Sequence, residues 1–397
     1  MLRIALVTPI LPVPHDLTRG RYIHETARAL SRLAQVRVFF PQVRYPRLPG
    51  LAPRSFLQGE VGADFSLDGI DVEAYAYPGF PGVSRASNGC VGARTLLPRL
   101  RAFSADLVLA YWLYPDGFAA LRAARQLGLP CIVGARGSDI HMRSGLSAHL
   151  TRRTLAGADA VLTVSQAMRV AAIERFGASP GKVHTIVNGI DTGVFHPRDR
   201  AAMRAKLGIA GDARLVTYVG RFVEAKGLRE LLEAFAAMAA ADPILTLALV
   251  GDGVMQVQLM EMIAGHGLQG RVYMPGGLEP VGVAEWICAS DVLTLPSWSE
   301  GYPNVVVEAV ACGCPVVVSD VGGAREIVNA GNGLLVPPRD PVALRVALED
   351  ALSQQWDRAA MAAAMGRGWG DVAVETLAVC DSALAAHVTA TRTAAPA

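Results

Sequence analysis

Short apolar runs, each followed by a stretch of helical periodicity and a Gly- or Pro-marked turn, recur from one end of this chain to the other. A parallel strand can rejoin its neighbour only through a connection long enough to hold a helix, so this alternation points to parallel sheets with crossover helices. In the first half, residues 3–8, 36–40, 106–110, 130–134 and 160–164 read as strands and 22–33 as a helix. Residues 41–66 and 78–92, rich in Pro and Gly with weak periodicity, read as loops or short hairpins. The pattern restarts at 215–219 and continues through strands at 245–250, 272–274, 292–295 and 316–319, with a helix at 228–240. A breaker-rich segment from Asn188 to Pro197 stands between the halves.

At 397 residues the chain exceeds one ordinary core and suits two domains. The expected division is 1–187 and 188–370. An Ala/Leu-rich helix in 371–397 is expected to return to the first domain and end in a frayed tail. With 52% hydrophobic and 18% charged residues the chain is globular. The six cysteines follow no zinc spacing and read as free thiols. The apolar start, MLRIALVTPILP, has no basic run before it and reads as a buried first strand. No uninterrupted apolar stretch reaches membrane-spanning length, so no transmembrane helix is expected.

Charge is divided unevenly. Residues 1–190 hold 22 Lys and Arg against 12 Asp and Glu; residues 191–397 hold 15 against 23. A basic first half points to an anionic partner, either phosphate or an acidic membrane surface, or to an uneven solvated surface. Arg94, Arg99 and Arg101 interleave with Leu96, Leu97 and Leu100, a mixture that could lie in a membrane interface.

The chemistry gathers in a few turns. Glu300-Gly301-Tyr302-Pro303-Asn304-Val305 leads into a helix that carries Glu308. Asn304 or a neighbour is expected to cap it, and its free N–H groups and positive dipole end suit a diphosphate. A carboxylate at Glu308 can accept hydrogen bonds from both hydroxyls of a ribose. Upstream, Arg221 and Lys226 flank a turn at the end of a strand, where two cations could clamp a departing diphosphate. Gly322-Gly323 form a βα turn that would let backbone approach a ligand. In the first half, Gly20 opens the first helix, and Arg136, Asp139 and His141 gather after a strand as an acceptor-side set.

With these residues in place, the chain resembles the retaining glycosyltransferases of family 4. Their GT-B fold is an α/β architecture of two facing Rossmann-like domains with a cleft between them. The resemblance runs nearly end to end and implies that Arg221 and Lys226 hold the diphosphate, Glu308 the ribose and Glu300 the sugar being moved. Gly301, Asn304 and Val305 join them on the donor side, and Gly20 corresponds to the Gly-rich loop of the first domain. Two departures stand out. Arg19-Gly20 replaces the Gly-Gly pair of many relatives, and Arg136-Gly137-Ser138-Asp139 replaces their His-Gly-x-Asp. With Tyr114-Pro115-Asp116-Gly117, the latter is similar to a bacterial cell-surface polysaccharide subgroup.

The resemblance implies a nucleotide diphosphate sugar as donor, a glycan or lipid-linked acceptor, no cofactor, no metal and no nucleic acid. Cytoplasmic residence, peripheral on the membrane, is expected. The chain contains no Asp-x-Asp pair, and its only lysines are Lys182, Lys206 and Lys226, so none lies late enough for a pyridoxal-dependent phosphorylase. A nucleotide-sugar epimerase or a nucleotide-sensing module of the same fold remains the alternative.

Overall fold

In the computed structural model, residues 15, 17–18, 47–60, 63, 81–83, 142–144 and 395–397 lie outside the description, as do the side chains of 138, 141 and 391–394. The chain divides into two units, Met1–Gly189 with Trp369–Ala397, and Ile190–Gly368. The two crossing points run side by side: the Ile190 N–H donates to Arg367 O at 3.1 Å, and Ile190 pairs with Gly368.

The first unit holds a parallel sheet of seven strands: β1 (Arg3–Val7), β2 (Gln35–Arg44), β3 (Asp71–Pro78), β4 (Leu107–Tyr111), β5 (Cys131–Gly134), β6 (Ala160–Thr163) and β7 (Val183–Thr185). Their order is β3-β2-β1-β4-β5-β6-β7, so the winding reverses between β1 and β4. β4, β5 and β6 are buried along their whole length, which is why they read as unbroken apolar runs instead of alternating ones. The second unit repeats the plan with β8 (Arg214–Val219), β9 (Leu245–Val250), β10 (Val272–Gly276), β11 (Val292–Leu295), β12 (Val316–Ser319) and β13 (Gly333–Val336). Their order is β10-β9-β8-β11-β12-β13, reversing between β8 and β11.

Several expectations change. β2 runs on to Arg44 through residues assigned to a loop, because β3 pairs with it as far as Arg44↔Pro78. The expected loop at 78–92 gives way at Asn88 to a helix, Asn88–Phe103, despite Gly89, Gly92 and Pro98 within it. Packing explains the override. A Cβ at Gly89 would lie 2.7 Å from Phe118 Cδ1 and one at Gly92 3.3 Å from Ala119 Cβ. The glycines therefore let this helix approach Phe118–Leu127 closely, which outweighs their poor helix propensity. The first helix spans Arg21–Leu30 and stops short of Leu33.

The last helix spans Trp369–Ala394. By length and composition, Trp369–Ala390 is apolar enough to cross a membrane, its alanines giving a mean hydropathy of 1.3. In the fold it packs against Arg21–Leu30, burying Val372, Ala373, Cys380 and Ala383 in the core of the first unit. Five of the six free cysteines are buried, and Cys90 is half-buried.

Candidate active site

The second unit's site is built where its sheet reverses direction, the place where loops from adjacent strands diverge and open a crevice. After β8 the chain leaves through Gly220, at φ 154°, then Arg221 and the buried Phe222. The Tyr218 hydroxyl donates to Arg221 O at 2.9 Å and so fixes the turn from below. Burial, followed by the negative charge of Glu300, pushes the Tyr218 phenol far above its ordinary value, so it remains a hydrogen-bond donor. The Arg221 side chain is exposed.

A single turn, Glu224–Lys226, ends at Gly227, which opens the helix Leu228–Ala239 at φ 68°. A Cβ there would lie 2.0 Å from Pro296 O, so only glycine lets the β8 loop seat on the β11 loop. The Trp298 N–H donates to Ala225 O at 2.8 Å and its indole Nε1 to Glu230 Oε1 at 2.8 Å. The Arg339 guanidinium lies 4.1 Å over the same indole ring. This fastening places Lys226 Nζ 2.6 Å from Glu300 Oε1, with the side chains 21% and 12% exposed. Two residues 74 positions apart thus form one charged pair at the switch point.

The helix after Glu300 spans Asn304–Ala311. The cap differs from the expectation. Pro303 occupies the N-cap position and Asn304 is the first helical residue, so no side chain caps the helix start. Val306, Val307 and Val310 are buried, whereas Asn304, Val305 and Glu308 share the partly exposed face, as i, i+3 and i+4 spacing requires. Gly301 O accepts the Gly323 N–H at 3.1 Å, so the β12 loop supports the Glu300 loop. Gly322-Gly323 open a short 3-10 turn, Gly322–Glu326, instead of a full helix. Tyr302 is pushed up to about 12, first by burial and then by the charge of Glu326.

In the first unit, Gly20 caps the helix Arg21–Leu30 at φ 63°, and a Cβ there would lie 2.6 Å from Ile10 Cγ2. Burial lowers the pKa of Arg19, whose Nη2 donates to Pro9 O at 3.0 Å, so it braces the loop after β1. Asp139 is fully buried. Its Oδ1 accepts the N–H groups of Arg136 at 2.9 Å and Gly137 at 2.8 Å, and its Oδ2 accepts that of Leu113 at 3.3 Å. This carboxylate therefore organises the β5 loop, on the side expected to face the acceptor. Arg136 lies beside it, half-buried. His141 falls in the helical turn Ser138–His141, with its side chain outside the described residues.

In the basic and apolar stretch, Arg94 and Arg101 are exposed and Leu97 is half-buried. Leu96 and Leu100 are fully buried, Arg99 pairs with Glu73 at 3.0 Å, and its guanidinium lies 4.7 Å over Tyr75. Sequence reasoning missed Tyr218, Trp298 and Arg339, which carry no motif. Gly251 and Gly253 follow β9 with φ of 139° and 151°. These glycines allow the β9 loop to cross the Arg221 turn, where a Cβ at Gly251 would lie 2.0 Å from Gly220 O.

With this geometry in view, the comparisons agree. The model for Glycosyltransferase Family 4 matches residues 20–194, and that for Glycosyl transferases group 1 matches 199–367. A D-inositol 3-phosphate glycosyltransferase of Frankia alni is 33% identical over 282 residues, 66% of this chain and 69% of that protein. The chain belongs to glycosyltransferase family 4. A Bacillus subtilis glycosyltransferase described for teichuronic acid biosynthesis, TuaC, is 26% identical over 357 residues, 87% of this chain and 88% of its own. The structure of Anabaena HepE in complex with UDP superposes with a TM-score of 0.72 at 21% identity, covering 96% of this chain and all of that one. That likeness shows the GT-B fold. In this family 4 glycosyltransferase, the Lys226–Glu300 pair and the helix bearing Glu308 therefore stand in the domain matched by the group 1 model.

Proposed function

We propose that this chain transfers a sugar, with retention of anomeric configuration and without a divalent metal, from a nucleoside diphosphate sugar to a glycan or lipid-linked acceptor in cell-surface polysaccharide assembly. The Lys226–Glu300 pair beside the side-chain-uncapped start of Asn304–Ala311 carries this reading. The UDP complex of HepE supports the donor class, and the resemblance to TuaC supports the polysaccharide role.

In this mechanism Arg221 and Lys226 receive the charge that develops on the diphosphate as the bond from sugar C1 to phosphate oxygen breaks. Glu308 accepts hydrogen bonds from the ribose hydroxyls, and Glu300, held by Lys226, contacts the sugar. The acceptor oxygen bonds to C1 on the face that the leaving group vacates, and its proton passes to the departing phosphate. Mixing a donor with an acceptor should release free nucleoside diphosphate and give a product with the donor's anomeric configuration by NMR. Donor binding without release would instead support the nucleotide-sensing alternative.

Two expected results follow from the division of roles. EDTA should leave the initial rate within about twofold, because Arg221 and Lys226 supply the charge that a metal gives in other transferases. Abolition by EDTA with rescue by magnesium or manganese would overturn metal independence. Glu308→Ala should raise the donor KM by about tenfold or more while changing kcat by only a few-fold, since a hydrogen bond to a charged group contributes about 1.5–3 kcal/mol. An unchanged KM with a collapsed kcat would remove Glu308 from the ribose.

A further inference from the structure

Arg136 places a guanidinium among groups that, within the described residues, offer it no paired carboxylate. The side chain is half-buried, and its Nε is shielded from solvent without a hydrogen-bond partner. Its Nη1 donates to the Asn188 amide oxygen at 3.0 Å. Its Cζ lies 3.8 Å from the centroid of the Tyr111 ring and 5.7 Å from that of Tyr22. Among the described residues no carboxylate pairs with the guanidinium, and the neighbouring Asp139 meets Arg136 through its backbone N–H. Shielded cations are ordinarily paired, because removing them from water is costly without a counter-charge. Here two aromatic faces and a neutral amide orient the planar fork, and no described carboxylate pairs with it.

The position is equally informative. Tyr111 ends β4, Arg136 follows β5, and Tyr22 lies in the first turn of the helix after β1. These three strands are neighbours in the order β1-β4-β5, so the cluster stands at the carboxyl edge beside the reversal of the first sheet. The donor diphosphate already has two cations, Arg221 and Lys226, in the second unit.

We propose that Arg136 binds an anionic group of the acceptor, a carboxylate or a phosphate, and selects charged acceptors over neutral ones. This rests on the reading above in which the second unit holds the donor. A guanidinium fork matches both oxyanions bidentately, so either could supply a counter-charge.

Calorimetric titration of the full chain, saturated with UDP, with methyl glucuronide, glucose 6-phosphate and methyl glucoside tests the proposal and separates the two oxyanions. At least one charged probe should bind at least tenfold more tightly than the neutral glucoside. Arg136→Gln should remove most of that preference, and Arg136→Lys, which keeps the charge but loses the fork, should retain part of it. Binding of the glucoside and of UDP should stay within about twofold. Equal affinity of wild type for charged and neutral probes would overturn the proposal even if Arg136→Gln fails to fold. So would a loss of UDP affinity in Arg136→Gln with the charged preference intact, which would assign Arg136 to the donor. Failure of wild type to bind UDP would strike the donor reading instead, and titration without UDP would still decide the anion preference.

Discussion

Lys226→Ala should lower kcat by on the order of a hundredfold, a loss of about 2.7 kcal/mol of transition-state stabilisation. The argument begins with the seating of the residue. Gly227 permits backbone contact with Pro296, Trp298 ties down the opposite loop, and Lys226 Nζ is thereby held 2.6 Å from Glu300 Oε1. A cation fixed in this way needs no reorganisation when charge develops on the leaving diphosphate, and such preorganisation makes an electrostatic contact worth more than it would be in water. The substitution also strips Glu300 of its partner. Both side chains are partly exposed, so screening limits the stability cost to about 1 kcal/mol. The expected signature is a large fall in kcat with a small fall in Tm, and Lys226→Arg should recover part of the rate. Steady-state kinetics with thermal unfolding on the same preparations checks this. A kcat within threefold of wild type would show that Lys226 does not face the leaving group.

Much of this architecture was legible because parallel strands buried on both faces leave unbroken apolar runs. β4, β5, β11 and β12 are of that kind. What escaped was decided by partners distant in the chain. Residues 88–92 have the composition of a loop, and the fit of Gly89 and Gly92 against Phe118 and Ala119 accounts for their place in the helix Asn88–Phe103. β2 exceeds its apolar stretch because β3 extends the ladder. In the site, Lys226 and Glu300 were recognisable through their local motifs, but their mutual contact across 74 residues was not. Asp139 shows the opposite limit. An acidic residue beside Arg and His reads as chemistry, yet its oxygens are occupied by three backbone N–H groups. Asn188 belonged to the linker in sequence and proves to be a hydrogen-bond partner of Arg136. Spacing reports local geometry well, whereas the commitments of a side chain depend on which strands become neighbours.

Gly322→Ala should reduce kcat/KM by about a hundredfold and lower Tm by several degrees, although Gly322 contacts no reacting group. Its φ of 56° lies in the left-handed region, which costs an L-residue roughly 1–2 kcal/mol. Space is the stronger constraint. A Cβ would lie 1.9 Å from Glu300 O and 2.8 Å from Glu300 C, both backbone atoms that cannot rotate aside. The β12 loop must therefore retreat, straining the bond from the Gly323 N–H to Gly301 O, or the Glu300 backbone must shift. A displacement near 1 Å in a catalytic group is enough for a loss of about a hundredfold. Gly322 is partly exposed, so the sheet beneath can remain folded while the loop moves. Gly265→Ala is the matched control. A Cβ there meets nothing within 4 Å at the end of the helix Gln256–Gly265, and both activity and Tm should stay near wild type. If Gly322→Ala retains wild-type kcat/KM while Gly265→Ala behaves as expected, the backbone contact beneath Glu300 does not set the position of that carboxylate. The placement of Glu300 must then be attributed to Lys226 and the helix that follows it.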